Sequence, residues 1–393
     1  MAQVQGNDLR VAVVGATGIV GSTILEVMAQ RKHGDAEVVP FASERSAGRQ
    51  IDFDGRSLQV RALDAGAIED FDIALFSAGG STSKEWAPRF AEAGCVVVDN
   101  SSAWRMDERV PLVVAEVNPD DLNGHRGIVA NPNCSTMQMV MVLKPLHDAA
   151  GLERVIVSTY QSTSGTGRQA VEEMRSQAGA LLEGRDVEAA VYPHQIAFNV
   201  LPQVEVFKDG DDYTTEERKM IAETRKILGD DSIPVSPTCV RVPVYAGHSQ
   251  SINVQTREDV SPEHCREILS AFPGVVVIDE PAKARYPMPI DAAGRDDVLV
   301  GRIRRDPTQE RCLNMWVVGD NLRKGAATNA VQLAELLVAG GLLKPREALT
   351  ANSERRSPAR SQDHVKPREL LLVHFSCARR QSFVLAPKAH VLF

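Results

Sequence analysis

The chain has 393 residues, 43% hydrophobic and 24% charged, the balance of a globular protein large enough for two or three domains. No apolar run reaches the roughly 18–20 residues of a membrane span, and residues 1–9 lack the basic and apolar parts of a secretory signal. The net charge of −8 disfavours a dedicated nucleic-acid binder, and six widely spaced cysteines without a C-x-x-C argue against a zinc knuckle or a disulfide framework. A reduced, cytoplasmic protein that binds neither metal, membrane nor nucleic acid is expected.

Residues 9–14, Leu-Arg-Val-Ala-Val-Val, form a β-branched run suited to a buried parallel strand. Gly15-Ala-Thr-Gly-Ile-Val-Gly21 follows at once, and residues 22–30 carry Ile24, Leu25 and Met28 at helical spacing. Further strands are predicted at 37–42, 71–76 and 95–99, which with intervening helical stretches imply a Rossmann-type parallel sheet. Beyond residue 132 strand-like runs become denser, at 154–161, 239–246, 250–256, 275–279, 298–304 and 312–320. Their alternation predicts an α+β domain with a mixed sheet. Helices are predicted at 135–149 and 214–228, the latter capped by Thr214 or Thr215 and ended by Gly229. A helical stretch at 330–343 returns to the first domain. Residues 351–393 hold eight Arg/Lys against three Asp/Glu, a basic tail on an otherwise acidic chain. The expected organisation is a dinucleotide domain at 1–132 with a returning helix at 325–349, a catalytic and dimerising domain at 133–324, and an atypical tail at 350–393.

Gly15, Gly18 and Gly21 follow a strand and open a helix, the setting in which glycines let the backbone approach a pyrophosphate and a helix start offers free N–H groups. After the second strand, Ser43, Arg45 and Ser46 supply donors and a fixed cation that suit a ribose 2′-phosphate, and hence NADP, although Glu44 stands among them. Asn131-Pro-Asn-Cys-Ser-Thr136 places Asn133 as a helix cap and Cys134 at the helix start, where the dipole is expected to lower the thiol pKa. Backbone N–H groups beside Cys134 are expected to serve as oxyanion donors. A thiolate needs an acid/base partner. His248, in the glycine turn Tyr245-Ala-Gly-His-Ser-Gln250, is the candidate, with a pKa expected near working pH.

These segments, with Asn100 to Arg105, Thr159 to Gly167, Arg241 to Asn253 and Gly319 to Asn329, together resemble aspartate-semialdehyde dehydrogenases in consistent order from about Leu9 to Leu349. The resemblance implies that Cys134 is the nucleophile, His248 the acid/base and Gln161 a substrate-side catalytic residue. Asn133 is placed in the substrate site. Arg241 is implied to grip the substrate α-carboxylate, Glu216 its amine, and Arg105 with Lys219 its phosphate. Cofactor contacts are implied at Gly15, Thr17, Gly18, Ile19, Val20, Ser43, Arg45, Ser46, Ser164, Gly165 and Asn321. The implied reaction is NADPH-dependent reductive dephosphorylation of aspartyl 4-phosphate through a cysteine thioester, in a homodimer or a tetramer built of dimers, on the route to lysine, threonine and methionine. One rival is N-acetyl-γ-glutamyl-phosphate reductase, whose blocked amine would leave Glu216 little to pair with. The other is a non-catalytic NADP-binding relative, disfavoured by the joint presence of Cys134, Gln161, His248 and Arg241.

The tail has no counterpart in the resemblance, and surface ion pairs are each worth about 1 kcal/mol or less. A chain stopped at Leu349 is expected to match the full-length protein in thermal midpoint and specific activity. A truncated protein that is insoluble would place the tail inside the fold.

Overall fold

Strand β1 (Arg10–Val14) opens a six-stranded sheet with β2 (Glu37–Ala42), β5 (Arg61–Ala62), β6 (Ile73–Phe76), β7 (Val96–Asp99) and β8 (Ile128–Ala130). The computed structural model describes residues 9–64 and 66–343. The expected tail and residues 344–349 lie outside those residues; the expected returning helix ends earlier than predicted, at Ala339. All ladders of this sheet are parallel and the strand order is β5-β2-β1-β6-β7-β8, the doubly wound arrangement whose direction of winding reverses at β1. Both faces are covered, which is why the strands read as continuous apolar runs. Helix α1 (Ile19–Gln30) packs on one face beside the last helix, α8 (Thr328–Ala339), through Ile24, Leu25, Met28, Val331 and Leu337. On the other, α2 (Gly80–Glu92) buries Phe90 edge-on against Phe76 and Phe41. A small hairpin, β3 (Gln50–Phe53) and β4 (Arg56–Gln59), stands apart from the sheet.

Helix α3 (Cys134–Ala150) follows β8 directly and leads into a second, mixed sheet. Its strands are β9 (Leu152–Gln161), β10 (Val235–Arg241), β11 (His248–Thr256), β12 (Val275–Val277), β13 (Val298–Arg305) and β14 (Cys312–Gly319), in the order β10-β9-β11-β14-β13-β12. Between them lie α4 (Arg168–Leu182), α5 (Thr215–Leu228), α6 (Pro262–Ala271) and the short α7 (Pro289–Ala292). Helices α3, α5 and α6 cover one face, and the alternation along β9 follows from it, with Val155, Val157 and Thr159 buried and Ile156 and Tyr160 turned away. Helix α5 obeys its sequence signals: Thr214 caps it in a reciprocal box with Glu217, and Gly229 ends it at φ 67°.

Two expectations are corrected. The strand predicted at 239–246 is β10, which starts earlier and ends at Arg241, because the chain then leaves the ladder: the Val244 and Tyr245 carbonyls accept the N–H groups of Thr163 and Ser164. His248 lies not in that turn but at the first position of β11, paired with Gly319.

The glycine loop is dictated by space. Gly15 sits at φ 89°, and a Cβ there would lie 2.3 Å from the Ser77 carbonyl oxygen; one at Gly21 would lie 2.1 Å from the Gly15 carbonyl oxygen. At Gly18 the same oxygen would be 3.3 Å away. Gly21→Ala is therefore expected to cost about 2 kcal/mol or more in urea denaturation, and Gly18→Ala about 1 kcal/mol or less.

Candidate active site

The carboxyl ends of the parallel strands face a cavity of about 820 Å³. Its lining brings together Cys134, Asn133, Gln161, Arg105, Arg241, Glu216 and Lys219, with Val20, Ser164, Gly165 and Asn321. The other expected cofactor residues are not among the lining. Gly15, Thr17, Gly18 and Ile19 form the loop and first turn of α1, and Ser43, Arg45 and Ser46 lie on the single turn that follows β2.

Sheet register explains why residues distant in sequence meet. Arg241 and Gln161 are Cα partners at the ends of parallel β10 and β9. Antiparallel β11 pairs Ser249 with Tyr160, which brings His248 level with Gln161. Arg241, Gln161 and His248 thus form a row across three strands, all buried on the face toward α3. His248 itself does not line the cavity; it stands behind Gly165, where an added Cβ would lie 3.1 Å from His248 Nε2 and 3.0 Å from Arg241 Nη1.

Cys134 is the first residue of α3, and its cap is tightly held. Asn133 Oδ1 accepts from the N–H groups of Ser135 and Thr136, both at 3.0 Å. Those two N–H groups are therefore spent on the cap, which corrects the expectation that groups beside Cys134 serve an oxyanion. Asn133 Nδ2 donates to Glu216 Oε1 at 2.9 Å, and the Asn133 main-chain N–H to Glu223 Oε2 at 2.7 Å. Gly325, in a single π-helical turn (Arg323–Ala327), lies so close that a Cβ there would be 2.9 Å from Cys134 Cβ. Lys324 anchors this turn from within the protein, bonded to Glu116, to Asn329 Oδ1 at 3.0 Å and to Gln332 Oε1 at 2.8 Å.

Apart from Arg241, the charges of the site are arranged in pairs. Glu216 Oε1 also accepts from Gln161 Nε2 at 3.1 Å, and its Oε2 is 3.5 Å from Lys219 Nζ. Glu205 takes the same ammonium in a short bond. Burial opposes the Lys219 charge, but the two carboxylates outweigh it and raise its pKa. Arg241 Nη1 donates to the Ser162 carbonyl at 2.7 Å, while its buried Nε meets no partner among the described residues. Asn321 Oδ1 accepts from the hydroxyls of Ser162 and Ser164 and from the Gly247 N–H, at 3.0–3.2 Å.

Neither the thiol, expected to be lowered, nor the imidazole, expected near working pH, titrates as the sequence predicts. Burial, reinforced by Glu216, pushes the Cys134 thiol up to about 11, against the pull of Arg105, Arg241 and Lys219. Desolvation thus raises the thiol where the helix start was expected to lower it. Burial and then Arg241 hold His248 well below its ordinary value. The Ser162 N–H donates to His248 Nδ1 at 3.1 Å, so the neutral ring carries its proton on Nε2, a buried atom with no partner among the described residues. Glu223, Glu205 and Ser162 escape sequence reasoning. Only Glu223 has a local signal, two turns after Glu216 on the same helix face.

Alkylation of Cys134 by iodoacetamide, followed by peptide mapping, is expected to quicken about tenfold per pH unit between about pH 7 and 10, with no plateau in that range. Glu216→Gln removes a negative neighbour, so alkylation at neutral pH should speed up. A plateau near pH 8 in the unsubstituted protein would refute the neutral thiol.

Residues 10–125 match the family model described as semialdehyde dehydrogenase, NAD binding domain, and residues 143–324 that described as semialdehyde dehydrogenase, dimerisation domain. The chain is 58% identical over 338 residues to the aspartate-semialdehyde dehydrogenase of Aquifex aeolicus, covering 85% of this chain and 99% of that protein. It superimposes with a TM-score of 0.82 on the crystal structure of Vibrio cholerae aspartate semialdehyde dehydrogenase II complexed with ASA, at 47% identity, covering 84% and 98% of the two chains. The Candida albicans aspartate semialdehyde dehydrogenase with NADP gives a TM-score of 0.66 at 26% identity, covering 85% and 99%. A cysteine at a capped helix start, a row of Arg241, Gln161 and His248 beside it, and relatedness along nearly the whole length of these proteins lead to one conclusion: the chain belongs to the aspartate-semialdehyde dehydrogenase family.

Proposed function

We propose that the chain converts L-aspartyl 4-phosphate to L-aspartate 4-semialdehyde with NADPH, releasing phosphate. The observation that carries this reading is the cavity itself, where a thiol stands among two guanidiniums, an ammonium and a buried carboxylate. Those groups match the carboxylate, amine and phosphate of the substrate. Arg241 takes the α-carboxylate and Arg105, with Lys219, the phosphate, since guanidinium pairs oxyanions in a planar fork. Glu216 takes the amine, and Gln161 and Asn133 orient Glu216 by donating to it.

Cys134 Sγ bonds to the acyl carbon as the acyl C–O bond breaks, and the thiol proton leaves with the phosphate as hydrogenphosphate. Because the resting thiol is neutral, attack requires the bound substrate to bring the acyl carbon and a proton acceptor together. His248 starts as a donor at Nε2, suited to the negative charge that develops on the acyl oxygen. Its acid/base role proceeds from that neutral form.

The glycine loop fits a dinucleotide. Any Cβ at Gly15 or Gly21 would collide with main chain, and Gly18 caps α1 without a side-chain bond, leaving the first N–H groups of the helix for a pyrophosphate. Gly15, Thr17, Gly18, Ile19 and Val20 would hold it there. Exposed Ser43 and Arg45, with Ser46, would meet the 2′-phosphate, and Ser164, Gly165 and Asn321 the end inside the cavity. Bound NADPH would supply the hydride that reduces the acyl group to the aldehyde, and the carbon–sulfur bond then breaks to return the thiol of Cys134.

The two sheets and the two matched family regions support division into a cofactor domain at 1–132, rejoined by α8, and a catalytic domain at 133–324. The catalytic domain is the dimerising one. Its outward sheet face carries half-exposed Ile156 and Tyr160, the latter tilted at 50° against Trp316 with 5.2 Å between ring centroids.

Incubated with aspartate semialdehyde, phosphate and NADP, the protein is expected to form NADPH, with no rate when phosphate is omitted. Cys134→Ala should keep its circular dichroism spectrum and melting point and lose turnover by about a thousandfold or more. Turnover near the unsubstituted rate in that variant would sink the thioester route.

A further inference from the structure

Helix α5 carries Glu216, Lys219, Glu223 and Lys226 at spacings of three and four, so the four charges line one face. The first two belong to the substrate reading above; the last two have no role in it. Both reach Arg105. Glu223 Oε1 accepts from Arg105 Nη1 at 3.1 Å, and its other oxygen, Oε2, accepts the Asn133 N–H at 2.7 Å. Lys226 Nζ donates to the carbonyl of Arg105 itself at 2.7 Å, and to those of Asp107 and Val110 at 2.9 Å. One helix therefore grips Arg105 at its guanidinium and at its main chain.

The remaining guanidinium contacts complete the restraint. Nε donates to the Asn131 carbonyl at 3.0 Å and Nη2 to the Asn100 carbonyl at 2.7 Å. Three acceptors on three different nitrogens fix the plane. Of the five N–H groups of a guanidinium, one on each terminal nitrogen is left for a ligand, the pair that a tetrahedral oxyanion bridges. Glu223 is the charged member of the three acceptors, with 1% side-chain exposure. A carboxylate kept so far from water is costly unless it is paired and hydrogen-bonded, and Glu223 meets that condition through Arg105 and Asn133. Its two oxygens also tie the guanidinium to the residue that caps the helix of Cys134, and so set the distance between phosphate site and thiol.

We infer that Glu223 is a positioning residue, which through its two carboxylate oxygens orients the Arg105 guanidinium toward the substrate phosphate and registers it against the Asn133 cap of the Cys134 helix. The inference rests on the reading of Arg105 as the phosphate group's partner, and the experiment separates the two. In Glu223→Gln the side chain keeps its shape, but an amide can accept from only one of the two donors and turns its own NH2 on the other. In the phosphate-consuming direction the KM for inorganic phosphate should rise about tenfold or more, while that for aspartate semialdehyde stays within about twofold. Arg105→Ala alone tests the underlying reading: an unchanged phosphate KM there removes Arg105 from the phosphate site. Adding Glu223→Gln to Arg105→Ala should raise the phosphate KM no further, because the group being positioned is gone. Should Glu223→Gln not fold, Glu223→Asp keeps the charge, shortens the reach and should show the same split in smaller measure. An unchanged phosphate KM, an equal rise in both KM values with a lowered melting point, or an undiminished effect in the Arg105→Ala background would each overturn the inference.

Discussion

Everything at this site depends on where α3 begins. The chain leaves β8 at the edge of the parallel sheet, where the Asn131 N–H is bonded to the Asp99 carbonyl at 2.8 Å, and three residues later it is helical. Asn133 is held by its side-chain oxygen, side-chain nitrogen and main-chain nitrogen at once, by its own helix, by Glu216 and by Glu223. Behind it the π turn closes with Gly325 against Cys134. A helix start fixed from so many directions cannot slide, so the thiol has one position relative to both sheets.

That position lies at the seam between the cofactor-side strands and the row of Arg241, Gln161 and His248 in the mixed sheet. The switch point of a doubly wound sheet offers a crevice for a dinucleotide. The mixed sheet contributes a level edge on which three polar side chains share a face. Neither sheet alone presents a thiol, an imidazole and two guanidiniums together. The buried network around Lys324, Glu116 and Asn329 joins α8 and the π turn to the parallel sheet through the Val113 carbonyl and Asn131. In this way the returning chain braces the nucleophile.

Most of the cavity's charge is compensated in pairs; Arg241, bonded to the Ser162 carbonyl, has no carboxylate partner among the described residues. Arg105 faces Glu223, Lys219 faces Glu205 and Glu216, and the thiol and imidazole are both neutral. Isolated charges in such a place would be driven to neutralise, and pairing is the alternative that leaves ions present. The thiol, which has no cation as a direct partner among the described residues, takes the neutral course.

Local chemistry was legible in the sequence wherever the cause is local. The strand, glycine turn and helix at 10–30 follow from β-branched runs and from positions that admit no Cβ. The capping box of Thr214 and Glu217, the left-handed Gly229 and the helix start at Cys134 follow from residues within four positions of one another. Resemblance to a family named the chemistry-bearing residues, and eleven of them line one cavity. The tertiary structure alone decided three things. It placed His248 at a strand start behind Gly165, because strand pairing and not the neighbouring turn residues sets that register. It raised the Cys134 pKa and lowered that of His248, because desolvation depends on what covers a group and not on what precedes it in the chain. It gave Glu223 two partners 118 and 90 residues away, a meeting that the spacing of charges along α5 suggests only as a face, since what a helix face touches is settled by packing.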